Sequence, residues 1–243
     1  DFDLYVTNTP GTGADNIMLR NEYPLDTFIN STASTGTGFA RVGWGANFFD
    51  FDNDLDLDLY VSAYHVDPTQ PNAIYVNDGT GVFTEPAPNG IAGDSVLSMC
   101  NTIGDYNDDG LLDMAVSHAD TFKFHLWKNE NTNSNNYLKI RLEGTTSNRD
   151  GIGAILELYI NEDKYLRTKH CGEGYLGQVS DKIHFGLGAA TMADSIIIKW
   201  LGGNVDKHYN VTGNQTVSFL EGVTGPLPLE LVQFYGKNHD DNS

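Results

Sequence analysis

Two stretches of the chain read almost as copies of each other: Asp50-Phe-Asp52-Asn-Asp54-Leu-Asp56-Leu-Asp58 and Asp105-Tyr-Asn107-Asp-Asp109-Gly-Leu-Leu-Asp113. Each places side-chain oxygens at positions 1, 3, 5 and 9 of a nine-residue loop and then runs into a short apolar segment. A hard divalent cation takes about six to eight oxygen ligands near 2.4 Å, and alternate residues of a tight loop can direct their oxygens at one point. The two loops therefore predict a repeated metal site.

The spacing of the loops indicates an array of repeats. Asp58 and Asp113 are 55 residues apart, and the same step backwards reaches Asp3, in a matching Asp1-Phe-Asp3 segment that predicts a partial third site. A period of this size suits one four-stranded blade of a β-propeller, so region 1–132 is expected to form an incomplete propeller with further repeats upstream. A second marker recurs at similar spacing, ending at Asn21, Asn77 and Asn129.

Composition sets the protein class. The chain has 243 residues, 40% of them hydrophobic, with 26 Gly and 12 Tyr, which suits an all-β protein rich in turns. No run of about 18 apolar residues is present, so no membrane-spanning helix is expected. The net charge of −19 argues against nucleic acid and anionic membrane surfaces as partners. Carboxylates crowded into two loops repel one another unless a cation neutralises them.

The loops differ from an EF-hand, which carries Glu at position 12 between two helices. Position 12 is Val61 in the first loop and Val116 in the second, and the flanking segments have a strand pattern. The loops resemble the FG-GAP/VCBS family of calcium-binding propeller repeats. The resemblance implies that Ca²⁺ is bound by the side chains of positions 1, 3, 5 and 9 and by the carbonyl of position 7. The implied ligands are Asp50, Asp52, Asp54, Asp58 and the carbonyl of Asp56 in the first loop, and Asp105, Asn107, Asp109, Asp113 and the carbonyl of Leu111 in the second.

A second module follows a polar stretch near residues 131–136, where the 55-residue period stops. Alternating strands separated by Gly, Asn and Asp turns predict a compact all-β unit over 136–222, a sandwich or a barrel. Four phrases resemble the ASPIC/UnbV family, which commonly follows FG-GAP/VCBS repeats: Asn136-Tyr-Leu-Lys-Ile-Arg-Leu-Glu-Gly144, Ser147-Asn-Arg-Asp-Gly-Ile-Gly-Ala154, Gly174-Tyr-Leu-Gly-Gln178 and His184-Phe-Gly-Leu-Gly188. The family implies architecture and location rather than an activity.

No catalytic signature is found, and we expect a protein that is not an enzyme. The chain has no G-x-S-x-G or H-E-x-x-H motif, and its seven His have no ligand spacing. Gly172-Glu-Gly174-Tyr-Leu-Gly177 fits the dinucleotide-binding pattern G-x-G-x-x-G. That pattern requires a buried strand before it and a helix after it, and the sequence predicts neither, so these glycines are assigned to turns.

The tail, 223–243, is predicted to be a linker and the first strand of a further module. Leu227-Pro-Leu-Glu-Leu-Val-Gln-Phe234 resembles the segment that precedes the sorting domain in type IX secretion cargo of Bacteroidetes. The sequence therefore favours a secreted or cell-surface calcium-binding protein that binds a protein or glycan ligand. Two alternatives remain: a structural subunit or passenger that contacts export machinery or copies of itself, and an enzyme whose active site lies on upstream blades.

Two local expectations concern Leu55 and the cysteines. Position 6 of such a loop makes a sharp turn, which Gly110 adopts freely and which costs Leu55 roughly 1–2 kcal/mol. We therefore expect unequal loops, with strain at Leu55 and the more regular geometry in 105–113. Cys100 and Cys171, one in each module, are either free thiols or a disulfide across the interface.

Overall fold

The computed structural model describes residues 2–8, 15–64, 71–87, 90–119 and 124–223. The protein is all-β, as predicted, with one short α-helix, α1 (Thr32–Thr35), and one 3-10 helix, Gly90–Gly93, among these residues. The strands of the repeat region are β1 (Leu4–Val6), β2 (Ile17–Asn21), β3 (Phe28–Asn30), β4 (Gly43–Phe49), β5 (Asp58–Ala63), β6 (Ala73–Asn77), β7 (Phe83–Thr84), β8 (Ser98–Gly104), β9 (Asp113–His118) and β10 (Phe124–Trp127). Those of the C-terminal module are β11 (Asn136–Glu143), β12 (Ile155–Ile160), β13 (Asp163–Thr168), β14 (Ile183–Gly188), β15 (Met192–Lys199), β16 (Val205–Thr212) and β17 (Gln215–Leu220).

The repeat region forms three antiparallel sheets, ordered β1-β2-β3, β4-β5-β6-β7 and β10-β9-β8. The four-stranded middle sheet runs up and down in chain order, which is the form of one propeller blade. The three sheets do not close into a propeller within the part of the chain that the structure describes. The predicted partial site at the N-terminus cannot be assessed, because Asp1 lies outside the described residues.

Strand β5 shows why the repeats need their neighbours. All six of its residues are buried, and successive side chains point to opposite faces of the sheet. Leu59 and Val61 join a core shared with the first sheet, whereas Tyr60 joins a core shared with β8 and β9. The middle sheet is thus covered on both faces by the preceding and following repeats.

The C-terminal module is a sandwich of a three-stranded sheet, β14-β11-β17, and a four-stranded sheet, β13-β12-β15-β16. Strand β11 pairs antiparallel with β14 and parallel with β17. Inward-facing residues of both sheets form one core that includes Leu138, Leu158, Phe185, Ile196 and Phe219. The sheets stay open at their edges, so the sandwich form of the prediction is correct and the barrel form is wrong.

Glu221, which follows β17, fastens the 145–147 turn to the end of the sandwich. Its Oε2 accepts the backbone N–H groups of Thr145, Thr146 and Ser147 at 2.9, 2.9 and 2.7 Å. Its Oε1 accepts the hydroxyls of Thr146 and Ser147 at 2.8 and 2.9 Å and the amide of Asn204 at 3.0 Å. Burial raises the pKa of Glu221, but these donors outweigh burial and hold the pKa well below its ordinary value.

We expect Glu221→Gln to lower the free energy of unfolding by about 2 kcal/mol or more, because it removes the charge that six donors share. Urea unfolding measures this loss. Glu143→Gln is the matched control, since Glu143 is exposed on the neighbouring strand and its replacement should cost no more than about 0.5 kcal/mol. Equal losses of stability in the two variants would contradict the stabilising role of the Glu221 hydrogen bonds.

Both cysteines are free, so the disulfide that the sequence left open is not formed. Cys100 lies half-buried in β8, where its Sγ is 3.0 Å from the position that a Cβ at Gly177 would take. Cys171 is exposed.

Gly172 and Gly174 have φ values of +84° and +70°, and no helix follows them, in agreement with their assignment to turns. Among the described residues, no helix has the length and apolar character needed to cross a membrane.

Candidate metal centre

The two acidic loops, 50–58 (the first loop) and 105–113 (the second loop), have the same backbone course. Each takes a left-handed conformation at positions 4 and 6, with φ of +62° at Asn53 and +59° at Asp108, and φ of +89° at both Leu55 and Gly110. The predicted strain at Leu55 is therefore confirmed. The Leu55 side chain packs against the core of the C-terminal sandwich, and this apolar contact offsets the backbone cost.

Position 1 organises the turn in each loop. Asp50 accepts the backbone N–H of Asp54 on Oδ1 at 3.1 Å and that of Leu55 on Oδ2 at 3.1 Å. Asp105 accepts the N–H of Asp109 at 3.1 Å and that of Gly110 at 2.8 Å in the same way. These bonds leave the carboxylate oriented over the loop before any ion binds.

Position 9 closes the loop and fixes the strand that follows. Asp58 accepts the backbone N–H of Phe51 at 3.3 Å and that of Asn77 at 2.9 Å. The corresponding distances for Asp113 are 3.1 Å to the N–H of Tyr106 and 2.8 Å to that of Asn129. The same pair of bonds therefore closes both loops, and the expectation that the second loop is the more regular stays a prediction.

This contact explains the second sequence marker. The asparagine of the marker binds the ninth-position aspartate of its own repeat, and the N–H of Asn21 donates to Asp3 at 2.8 Å in a third copy of the arrangement. The side-chain amides of Asn77 and Asn129 also donate to the carbonyls of Leu57 and Leu112, both at 3.2 Å. The role of these asparagines was not predicted, although their spacing could have suggested it.

The carboxylates of the first loop converge. Ligand atoms of Asp50, Asp52 and Asp58 lie within 4.8 Å of one another. Oδ1 of Asp52 and Oδ1 of Asp56 are buried and have no hydrogen-bond partner. Buried carboxylate oxygens without a donor are costly, and a cation is the partner that would satisfy several of them at once. The residues of the first loop thus fit a divalent cation, with Asp54 exposed at its open side.

The pKa values reflect this crowding. Burial raises the pKa of Asp58 to about 8, although the N–H groups of Asn77 and Phe51 act in the opposite direction. Burial also raises the pKa of Asp50 to about 7 and that of Asp56 to about 6. The charge of Arg167 acts against both shifts, and neighbouring carboxylates add to them. Ionising this group of side chains without a bound cation is therefore unfavourable.

The second loop is neutralised in part by the protein itself. Nζ of Lys139, on β11, lies 2.6 Å from Oδ2 of Asp105 and 2.9 Å from Oδ1 of Asp108. The side-chain amide of Asn107 donates to Asp109 at 2.7 Å. No convergence of three carboxylates like that of the first loop is found at residues 105–113. The loops are unequal, as expected, but the larger difference is in the side chains and not in the backbone.

The C-terminal sandwich covers both loops, which the sequence did not predict. The N–H of Gly186 donates to Oδ2 of Asp50 at 3.1 Å, and that of Gly188 donates to the carbonyl of Asn53 at 2.8 Å. The amide of Asn53 in turn donates to the carbonyl of Gly110 at 3.1 Å, so the loops also contact each other. Strands β11 and β14 thus hold the two loops side by side.

His184, on β14, lies beneath the second loop. Its Nε2 is 3.1 Å from the carbonyl of Gly110, and its ring stacks on Tyr137. Burial lowers the pKa of His184 to about 4, and the hydrogen bond to Gly110 acts against this shift. The positive charges of Arg167 and Lys139 lower the pKa further, whereas the negative charge of Asp105 raises it.

The unfolded chain takes up a proton at His184 near pH 6.5, whereas the folded protein does so near pH 4. This histidine thus contributes stability above about pH 6.5 that is lost as the pH falls from 6.5 towards 4. At pH 5 we expect the wild type to have lost about 2 kcal/mol more than His184→Gln, relative to neutral pH. Urea unfolding of both proteins measures this difference. The acidic loops are present in both proteins, so the effect of their titration on stability cancels in the comparison. His170→Gln, at an exposed site, should behave as the wild type.

Comparison with known proteins gives the C-terminal module a family. Residues 144–225 match the family model described as ASPIC and UnbV. The match covers three of the four sequence phrases and includes all strands of the sandwich except β11. The resemblance of the second module is confirmed. That of region 1–132 to FG-GAP/VCBS repeats stays a prediction, and the type IX segment lies outside the described residues.

Curated relatives carry the name cartilage acidic protein 1. The human protein is 24% identical over 206 residues, which is 79% of this chain and 31% of that protein. The mouse protein is 25% identical over 163 residues and the Xenopus tropicalis protein 27% identical over 176, in each case 64% of this chain and 25% of the relative. The chain spans between a quarter and about a third of the length of these relatives.

Proposed function

We propose that this chain is part of an extracellular, non-catalytic protein that binds Ca²⁺ in its two acidic loops. The observation that carries the proposal is the first loop, where the carboxylates of Asp50, Asp52 and Asp58 converge and Oδ1 of Asp52 is buried without a hydrogen-bond donor. The proposed metal-ligand atoms are all oxygens, which suits Ca²⁺ and not a transition metal. The extracellular location is supported by the relatives, which are named for cartilage, and by the ASPIC and UnbV match.

The loops make Ca²⁺ a structural clamp. They lie between the repeat sheets and the C-terminal sandwich, and Asp50 is bound to Gly186 of the sandwich. An ion held by Asp50 and Asp58 would fix the first loop against β14 and β5 together. Ca²⁺ is therefore expected to stabilise the junction of the two modules.

A cleft supports a binding or adhesive role. It has a volume of about 1020 Å³ and is lined by residues of the first two sheets and of β12 and β13. Apolar side chains such as Phe48 and Tyr165 share its wall with the basic side chains of Arg20 and Lys164. Concave sites of this mixed character are typical of ligand binding. A protein or glycan ligand is therefore proposed for this cleft.

Isothermal titration calorimetry tests the metal proposal. We expect Ca²⁺ to bind at two sites per chain, with Mg²⁺ much weaker, because Mg²⁺ demands near-octahedral geometry and dehydrates reluctantly. The first loop should account for the tighter site, because three of its carboxylates converge, whereas Lys139 forms ion pairs with Asp105 and Asp108 in the second. The charge of Arg167 acts on Asp50 in the first loop but does not prevent this convergence. Heat of binding that is absent for Ca²⁺ would overturn the proposal. Sedimentation of the Ca²⁺-loaded protein should give a monomer, and a ladder of oligomers would favour a structural subunit instead.

A further inference from the structure

We propose that Asp94, His118 and His125 form a second kind of metal site, one that takes Zn²⁺ or a similar late first-row divalent ion. One ligand atom from each of these residues lies within 4.8 Å of the other two. The site is built from different residues from the acidic loops, so it does not depend on whether the loops bind Ca²⁺.

The fold brings the three residues together from separate elements. His118 ends β9, and His125 on β10 pairs with Val116, two residues before His118. Residues opposite each other, and residues two apart on one strand, point to the same face of a sheet, so both imidazoles face the same way. Asp94 directly follows the 3-10 turn Gly90–Gly93 and is buried against that face.

One edge of the site has the length that tetrahedral coordination needs. Nδ1 of His125 is 3.2 Å from Oδ2 of Asp94, and the ligand atom of His118 lies within 4.8 Å of both. Metal–ligand bonds of about 2.0–2.1 Å give a tetrahedron with edges of roughly 3.3 Å. An ion bound between His125 and Asp94 would displace the proton that they share, so binding requires the neutral imidazole.

Hydrogen bonds set the tautomer of His118. The hydroxyl of Ser98 donates to the carbonyl of Val96 at 2.8 Å and accepts the side-chain amide of Asn72 at 3.0 Å. The remaining lone pair of the Ser98 hydroxyl can only accept a hydrogen bond. Nδ1 of His118, 3.0 Å from this hydroxyl, is therefore the donor. The neutral ring then carries its lone pair on Nε2. Metal-ligating histidines are oriented by this kind of bond from their other nitrogen.

Two nitrogens and one oxygen select for Zn²⁺ over Ca²⁺, which prefers oxygen ligands alone. The side chain of His125 is 41% exposed, so an ion can reach the site and a water can complete its coordination. An ordinary ion pair between His125 and Asp94 would explain their contact but not the adjacent, pre-oriented ring of His118.

The carbonyl of Asp94 also accepts the N–H of Asn72, which precedes β6, so a bound ion would tie the second and third sheets together.

The test uses Co²⁺ as a spectroscopic probe, added to protein in excess Ca²⁺, with Zn²⁺ as competitor. We expect the intense visible bands of tetrahedral Co²⁺, abolished by Zn²⁺ and not by Ca²⁺. His125→Ala, at a half-exposed position, should weaken Co²⁺ binding at least tenfold, whereas His170→Ala, at an exposed histidine elsewhere, should leave it unchanged.

Circular dichroism of each variant establishes that it is folded. Wild-type protein that gives no tetrahedral spectrum would overturn the proposal, and so would equal Co²⁺ affinities of His125→Ala and His170→Ala. Weak bands of octahedral Co²⁺ that disappear with more Ca²⁺ would assign the ion to the acidic loops and would also overturn it.

Discussion

Replacing Asp58 with Asn is expected to lower Ca²⁺ affinity at the first loop at least a hundredfold, which is about 2.7 kcal/mol. The substitution keeps the shape of the side chain but removes the charged ligand that closes the loop. Calorimetry on the two proteins measures the change. Asp163→Asn, on the exposed surface of β13, makes the same charge change and should leave binding as in the wild type.

The stability of the metal-free protein separates this effect from general damage. In the presence of a chelator, Asp58→Asn removes a carboxylate whose ionised form burial disfavours, but its amide nitrogen would face the N–H of either Phe51 or Asn77, so we expect a small loss of stability that does not depend on Ca²⁺. The stabilisation by Ca²⁺ should shrink at the same time. A variant that is equally destabilised with and without Ca²⁺ would contradict the assignment of Asp58 as a ligand.

Gly186→Ala is expected to cost about 3 kcal/mol and to loosen the C-terminal sandwich from the acidic loops. A Cβ at this position would lie 2.2 Å from Oδ2 of Asp50 and 2.5 Å from backbone atoms of Asn53. Neither the first loop nor β14 can move away without breaking the Gly186–Asp50 hydrogen bond. The position therefore couples the two modules.

Thermal unfolding and Ca²⁺ titration measure this coupling. The wild type should unfold in one transition in Ca²⁺, whereas Gly186→Ala should unfold at lower temperature, with the sandwich and the repeat region separating, and should bind Ca²⁺ more weakly. Gly38→Ala is the control, because its Cβ would have no neighbour closer than 4.0 Å. An unchanged melting curve for Gly186→Ala would refute the tight approach of the loop to β14.

The features that the sequence predicts correctly are local ones. The all-β class follows from short alternating strands between turns, and the strain at Leu55 follows from its alignment with Gly110, since both have φ of +89°. The compact all-β form of the second module follows from its alternating strands between Gly, Asn and Asp turns. In each case the residues that decide the structure lie within a few positions of one another.

The features that were missed depend on contacts between distant parts of the chain. Gly186 and Asp50 are 136 residues apart, and no local pattern indicates that one covers the other. Lys139 reaches Asp105 across the module boundary in the same way. Asp94, His118 and His125 lack regular spacing because strand pairing, and not sequence separation, places them together. Cys100 and Cys171 could be assigned as free only once their surroundings were known.

A crystal structure of the protein grown with Ca²⁺, with an anomalous difference map, tests the central claim most directly. The account predicts a peak in the first loop, with oxygens of Asp50, Asp52, Asp54 and Asp58 and the carbonyl of Asp56 at about 2.3–2.6 Å, and a second peak in loop 105–113. Maps without a peak in either loop at saturating Ca²⁺ would contradict it.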